Sequence, residues 1–124
     1  MQFRRTLLAT LALAALPSLA LAQDFPQRTV TLVVPFPAGG ITDQISRVMA
    51  QKMADTLGKP VIVDNKPGGG GQIAAAAIKN APADGHTVLI AATEMFAINQ
   101  NLYRKFSYDP IKDFTPVSSL IASP

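Results

Sequence analysis

The chain has 124 residues, no cysteine and one histidine, with 11 lysine and arginine residues against 8 aspartate and glutamate residues. Without cysteine the chain has neither disulfides nor thiolate ligands, and the single histidine and scattered carboxylates show no metal-ligand spacing. The charges alternate in sign and form no basic cluster interleaved with aromatic side chains, so nothing in the sequence points to nucleic-acid binding.

The N-terminus is typical of a secretory leader. Arginines at positions 4 and 5 precede the apolar run 7–16, and Ala20 and Ala22 are the small residues that a signal peptidase prefers. Pro17 interrupts the run before it reaches the roughly 20 apolar residues that a membrane anchor needs. We therefore predict a signal peptide over residues 1–22 and export to the periplasm. Loss of both leader arginines lowers the formal net charge from +3 to +1.

The first predicted strand, residues 29–34, is a β-branched run that leads into a loop with prolines and glycines at residues 35–40. The loop opens a helix for which either Thr42 or Asp43 is a suitable N-cap, and Gly58 is the predicted stop. The apolar positions of this helix follow the 3.6-residue period: Ile45, Val48, Met49, Met53 and Leu57.

The rest of the chain alternates between strands and helices. We predict a strand at residues 61–63, a turn at 64–67, a glycine run at 68–71, a helix at 72–80, a strand at 87–91, a loop at 92–96 and a short helical segment at 98–103. Continuous apolar strands that alternate with helices indicate a parallel sheet covered on both faces, so the predicted fold class is α/β.

The loop at residues 36–40 is the first candidate ligand site. It lies at the carboxyl end of a strand, where open α/β sheets bind ligands, and it begins a helix whose free amides favour an anion. Gly39 and Gly40 let a ligand approach the backbone closely, although a plain strand-to-helix turn explains the same glycines. The carboxylate of Asp43 competes for the helix amides, and a water molecule can mediate the contact instead.

We predict no catalytic residue, metal or cofactor. His86 follows a turn and opens a strand, where a half-exposed structural residue is more common than a catalytic one. Residues 69–74 formally match the dinucleotide fingerprint, and Glu94 lies near the spacing of its ribose-binding acid. However, a proline-containing turn separates these glycines from their strand, which is not the first of the domain. The glycine run is therefore either a turn for tight helix–sheet packing or a loop that lines a cleft.

Five segments in order resemble the Bug-type substrate-binding proteins of tripartite tricarboxylate transporters. They are residues 33–43 (VVPFPAGG, then Asp43), 61–71 (VIVDNKPGGGG), 84–89 (DGHTVL), 97–103 (AIN, then Leu102 and Tyr103) and 108–114 (YDP, then Asp113 and Phe114). The resemblance implies a two-lobed periplasmic-binding-protein fold, type II-like, whose lobes close around a small carboxylate and deliver it to membrane permease subunits. Members of the family are much longer than residues 23–124, so we expect a truncated, partial first α/β lobe.

The resemblance also implies which residues bind the solute. The residues that match the two ligand loops are Phe36, Ala38, Gly39, Gly40 and Asp43 in the first and Thr93 and Glu94 in the second. Asn99 and Tyr103 match the following segment, where we expect support of the second loop more than direct contact.

The sequence departs from the family pattern at Gln100, where proline is frequent, and at His86, where tyrosine is usual. Glu94 would repel a dicarboxylate if it faced the cleft, which leaves room for an amine-bearing or neutral solute. Two other hypotheses stay open: a secreted α/β enzyme that acts on a small carboxylate, and a nonfunctional fragment.

We predict that the exported protein begins at Gln23, because Ala22 ends the run of small residues before the expected cleavage point. Mass spectrometry of the intact protein from the periplasmic fraction measures this terminus. Recovery of only a cytoplasmic chain that still begins at Met1 would contradict both the leader and the periplasmic location.

Overall fold

The computed structural model describes residues 24–121, and the leader predicted for residues 1–22 lies outside them. The strands are β1 (Val30–Val34), β2 (Val61–Asn65) and β3 (Thr87–Leu89), and the helices are α1 (Ile41–Leu57), α2 (Gln72–Lys79) and α3 (Asn99–Leu102). A 3₁₀ turn at Gly69–Gly71 precedes α2, and a π-helical turn at Glu94–Ile98 precedes α3. Within the described part of the chain, no helix has both the length and the apolar character to cross a membrane.

The three strands form one parallel sheet with β1 in the centre. The order is β2-β1-β3, and Val33 of β1 pairs with Asp64 on one side and with Leu89 on the other. Parallel pairing requires a crossover between successive strands, and helices supply it here. Helix α1 packs against β1 and β2, whereas α2 packs against β1 and β3. The structure confirms the predicted α/β class.

An aliphatic core lies on the face of the sheet that α1 covers. Leu32 and Val34 of β1 both point to this face, because side chains alternate along a strand. They pack with Ala50 of α1 and with Ile90, and none of the four is more than 8% exposed. This packing fixes the start of α1 beside the carboxyl end of β1.

The face that α2 covers carries an aromatic core. Ala75 of α2 is fully buried and meets Met95 and Tyr108, whose hydroxyl donates a 2.6 Å hydrogen bond to the Met95 carbonyl oxygen. Phe96 and Tyr108 each make an edge-on contact with Phe114. Burial raises the pKa of Tyr108, so its hydroxyl remains a donor. The chain that follows β3 is therefore held against α2.

The start of α1 differs from the sequence prediction. The helix begins at Ile41 with Gly40 as its N-cap, so the prediction of Thr42 or Asp43 as the cap is wrong. The Asp43 side chain accepts a hydrogen bond from the amide of Gly39, which precedes the helix, instead of from a helix amide. The helix amides are consequently left without a side-chain partner at the cap.

Strand β3 ends at Leu89, two residues before its predicted end, and two other boundaries also differ. Strand β2 continues through Asp64 and Asn65, which were expected to form a turn, because these residues pair with Val33 and Val34 of β1. The segment after β3 becomes helical at Glu94, within the stretch predicted as a loop. Tertiary pairing and packing decide both boundaries, and local residue preferences do not contain that information.

We predict that Gly71→Ala destabilises the fold more than Gly69→Ala. Both glycines have left-handed backbones, with φ +88 and +59, so each variant carries about 1–2 kcal/mol of strain. A Cβ at Gly71 would also lie 2.7 Å from Sδ of the buried Met95, whereas at Gly69 the nearest atom is Cβ of Gln72 at 3.5 Å. Overpacking adds about 1–3 kcal/mol at Gly71. Urea unfolding measures the difference, and equal free energies of unfolding would contradict this packing.

Candidate functional site

Two loops lie at the edge of the sheet where the strands end. The first loop, residues 36–40, follows β1, and the second loop, residues 91–94, follows β3. Backbone hydrogen bonds continue to this edge, since the amide of Ile90 donates to the Val33 carbonyl oxygen and that of Lys66 to the Val34 carbonyl oxygen. The connection after β1 leads to β2 on one side of it, and the connection after β2 leads to β3 on the other side. The carboxyl end of β1 is therefore the topological switch point at which open sheets bind ligands.

The predicted site residues all lie near this edge, in different surroundings. Those that are exposed, on the first loop or the second, are Ala38, Gly39, Gly40, Thr93 and Glu94. Phe36 is half-buried and packs against the aliphatic core under α1. Asp43 is only 3% exposed, so its carboxylate lies under the first loop and not on its surface.

The Asp43 carboxylate is the centre of a polar network beneath the first loop. Its Oδ2 accepts a 2.8 Å hydrogen bond from the amide of Gly39 and a 3.0 Å bond from Nε of Arg47. Its Oδ1 accepts a 3.0 Å bond from Nδ2 of Asn65. These donors, Arg47 foremost, lower the pKa of Asp43 from 3.8 to about 2, so the carboxylate is ionised at neutral pH.

Asn65 connects this network to the backbone of the first loop. Its Nδ2 also donates a 3.1 Å hydrogen bond to the carbonyl oxygen of Phe36, and its Oδ1 accepts a 3.3 Å bond from Nη2 of Arg47. Sequence analysis singles out neither Asn65 nor Arg47. The spacing of Arg47 four residues after Asp43 is a pairing pattern visible in the sequence. The approach of Asn65 depends on the pairing of β2 with β1.

The backbone of the first loop leaves the start of α1 open. Gly39 has φ +85, a left-handed conformation, whereas Gly40 has an ordinary φ of −74. No side chain caps the helix, and the amide of Gln44 donates to the Gly40 carbonyl oxygen at 3.0 Å. The amides that precede Gln44 in the first turn are the groups with which a helix N-terminus binds an anion.

The glycine run packs against the segment that follows β3. Asn99 is buried, and its Nδ2 donates a 2.7 Å hydrogen bond to the carbonyl oxygen of Gly70. A Cβ at Gly70 would lie 2.8 Å from the hydroxyl oxygen of Tyr103, and one at Gly71 would collide with Met95. Asn99 and Tyr103 therefore contact the glycine run, and the backbone amide of Asn99 also donates to the Glu94 carbonyl oxygen of the second loop, in line with the support expected there. Tight packing accounts for these glycines.

His86 lies at the opposite edge of the sheet, before β3, and is buried, so the prediction of a half-exposed residue is wrong. It is 8% exposed, and its Nε2 accepts a 3.3 Å hydrogen bond from the amide of Gln27. The ring of Phe25 covers it, with 4.9 Å between ring centroids. The His86 amide and Arg28 both donate to Asp84 and lower its pKa to about 2. These contacts anchor the chain that enters β1.

A parallel sheet with two exposed loops at the carboxyl ends of its strands is the arrangement in which open α/β lobes bind ligands. A family model described as "Tripartite tricarboxylate transporter family receptor" matches residues 45–124. The chain belongs to this family, which confirms the resemblance carried by the five segments. The "UPF0065 protein in tcbD-tcbE intergenic region" of Pseudomonas sp. (strain P51) is 43% identical over 117 residues, which are 92% of this chain and 34% of the relative. The chain thus spans about a third of that relative's length.

Two solved structures share the fold of the described residues. The first, "R. palustris Rpa4515 with adipate", has 42% identity and a TM-score of 0.67 over 70% of this chain and 29% of its own. The second, "MatC (Rpa3494) from Rhodopseudomonas palustris with bound malate", has 43% identity and a TM-score of 0.64 over 75% of this chain and 32% of its own. The described residues therefore correspond to part of a longer binding-protein fold, as predicted.

We predict that Asp43→Asn weakens the acid dependence of stability. Folding lowers the pKa of Asp43 from 3.8 to about 2, so its contribution is complete above about pH 4 and is lost as the pH falls toward 2. At pH 3, unfolding of the parent takes up about 0.8 proton at this position, and the asparagine variant takes up none there. Urea unfolding between pH 2 and 7 measures the change in slope.

Amide exchange at Gly39 supplies the control for this prediction. The exchange should quicken in Asp43→Asn, because the amide loses its carboxylate acceptor at 2.8 Å. It should not change in Asp84→Asn, where a carboxylate with the same lowered pKa of about 2 is removed at the opposite edge. A parental slope with parental protection of Gly39 would show that Asp43 does not hold the loop.

Proposed function

We propose that the chain is part of a periplasmic solute-binding protein that captures a small organic carboxylate for a tripartite tricarboxylate transporter. Its family membership supports the receptor class, and the two neighbours named with adipate and malate support the solute class. The observation that carries the proposal is the uncapped start of α1 beside Gly39 and Gly40, at the carboxyl end of the central strand. This arrangement presents unpaired amides where a ligand of an open sheet binds.

The residues in and beneath the first loop have separate roles in the proposed complex. The free amides in the first turn of α1, which follow Gly40, donate to a carboxylate oxygen of the solute, directly or through water. Phe36 anchors the loop in the core, and the short side chain of Ala38 leaves the backbone accessible. Asp43 positions the amides without facing the solute, because it is buried and already hydrogen-bonded.

The second loop supplies a donor and limits the charge of the solute. Thr93 is exposed beside β3 and offers a hydroxyl to the same ligand. Glu94 is exposed next to it. A dicarboxylate binds with this side chain turned to solvent, whereas an amine-bearing solute binds with it turned to the ligand.

The opposing wall of the site comes, in this proposal, from a second lobe of the full-length protein that closes by hinge motion. Binding and release make and break no covalent bond, so no catalytic residue, metal or cofactor is assigned. The proposed location is the periplasm, and the proposed partners are the membrane permease subunits that receive the solute.

We predict that Gly40→Val in the full-length protein weakens binding of malate and adipate at least tenfold. Gly40 has φ −74, and its Cβ position is 3.5 Å from the Pro37 carbonyl oxygen, so valine fits the fold. The new side chain covers the amides of the first turn. A tenfold loss corresponds to about 1.4 kcal/mol, close to one net hydrogen bond. Isothermal titration calorimetry measures the affinities.

Ala83→Val is the matched control, since Ala83 is exposed in the turn before β3 at the opposite edge of the sheet. Its affinity should stay within threefold of the parent. The same result for Gly40→Val would exclude the first loop from the ligand site. A parent protein that binds neither malate nor adipate would contradict the proposed solute class.

A further inference from the structure

We infer that Arg47 determines the charge preference of the first loop, because it neutralises the buried Asp43 and so lets the loop accept an anion. Asn65 holds this pair against the loop. The inference deepens the proposed function and takes the class of ligand from it. Arg47 and Asn65 act through Asp43 and do not touch the solute, so both are positioning residues.

A buried carboxylate next to an anion site is an electrostatic conflict. The Asp43 side chain is 4% exposed and accepts a 2.8 Å hydrogen bond from the amide of Gly39, which directly precedes the helix start proposed to bind the solute. The pKa of about 2 keeps this carboxylate ionised at neutral pH, so protonation does not remove the charge. Left without a cation, it would repel a carboxylate ligand, and the protein surroundings screen that repulsion less than bulk water does.

The position of Arg47 resolves this conflict. Its Nε donates to Asp43 Oδ2 at 3.0 Å and its Nη2 donates to Asn65 Oδ1 at 3.3 Å, so the guanidinium group is held at two points. The Arg47 side chain is 54% exposed, which places its positive charge on the solvent side of the carboxylate. The charges of Asp43 and Arg47 then cancel, and the partial positive charge of the amides in the first turn favours an anion at the loop.

Asn65 fixes the neutral pair relative to the backbone. Its two Nδ2 donations, 3.0 Å to Asp43 Oδ1 and 3.1 Å to the Phe36 carbonyl oxygen, join the start of the loop to α1. Lys66, which directly follows Asn65, forms its own ion pair with Asp64 at 3.0 Å. Arg47 is therefore the residue that compensates Asp43.

The test is charge rescue in the full-length protein, with malate as the probe. Arg47→Met should weaken malate binding at least tenfold, and the loss should shrink in high salt. The double variant Arg47→Met with Asp43→Asn should bind malate at least threefold more tightly than Arg47→Met alone, because the uncompensated charge is gone. A purely structural role for Arg47 predicts no recovery, since the double variant has lost more of the network. Absence of recovery overturns the inference.

Arg28→Met is the matched control. Arg28 donates to Asp84 at 2.7 Å and is 56% exposed, so the variant breaks a similar ion pair at the opposite edge of the sheet. It should leave malate affinity within threefold of the parent. Equal losses in Arg28→Met and Arg47→Met would mean that overall charge, and not the pair beneath the loop, governs binding, and would overturn the inference.

A titration without ligand separates this inference from the proposed function. The pKa of the Asp43 carboxyl group, followed by carbon NMR, should rise above about 2 in Arg47→Met and rise less in Arg47→Lys, which keeps the charge. An unchanged pKa in Arg47→Met overturns the inference even if the protein binds malate. A raised pKa in a protein that binds neither malate nor adipate supports the charge compensation and contradicts the proposed solute class instead.

Discussion

Strand β1 is hydrogen-bonded to a neighbour on both sides, and this pairing fixes the positions of the elements around it. Strands β2 and β3 satisfy its backbone on either side, and the side chains of Val30, Leu32, Val33 and Val34 are at most 2% exposed. A strand buried in this way ends at a fixed point, so the loop that follows it starts from a rigid base. Strand β1 therefore sets the position of the first loop, and the packing of α1 sets its orientation.

Asp43 shows how a buried charged residue can fix the loop before a helix without capping the helix. An aspartate at a helix N-cap accepts hydrogen bonds from helix amides, but Asp43 is the third residue of α1. Here it accepts one from Gly39, which precedes the helix, and its other partners are Arg47 and Asn65. The loop is thereby fixed while the amides of the helix start stay available. The competition expected from the sequence does not arise, because the carboxylate points beneath the loop.

The glycines of this chain serve two different purposes. Gly39 gives the first loop its left-handed turn at an exposed position, and the backbone there is open to a ligand. Gly70 and Gly71 instead leave space for Tyr103 and Met95, which pack against them. The spacing between glycines does not distinguish a glycine exposed to a ligand from one that leaves space for a packed side chain. For this reason the run at residues 69–74 resembles the dinucleotide fingerprint. The atoms that surround each glycine do separate them.

Local sequence patterns were enough to predict the alternation of strands and helices, the parallel α/β class and the loop at residues 36–40, because hydrophobic periods and glycine or proline breaks are local properties. Two sets of contacts arise from the folded chain alone. Asn65 holds the first loop through Asp43, 22 residues away in sequence. His86 is buried beneath Phe25, and its hydrogen-bond donor is Gln27, 59 residues away. Strand pairing brings these groups together. Their distance along the chain leaves no local pattern from which the contacts can be inferred.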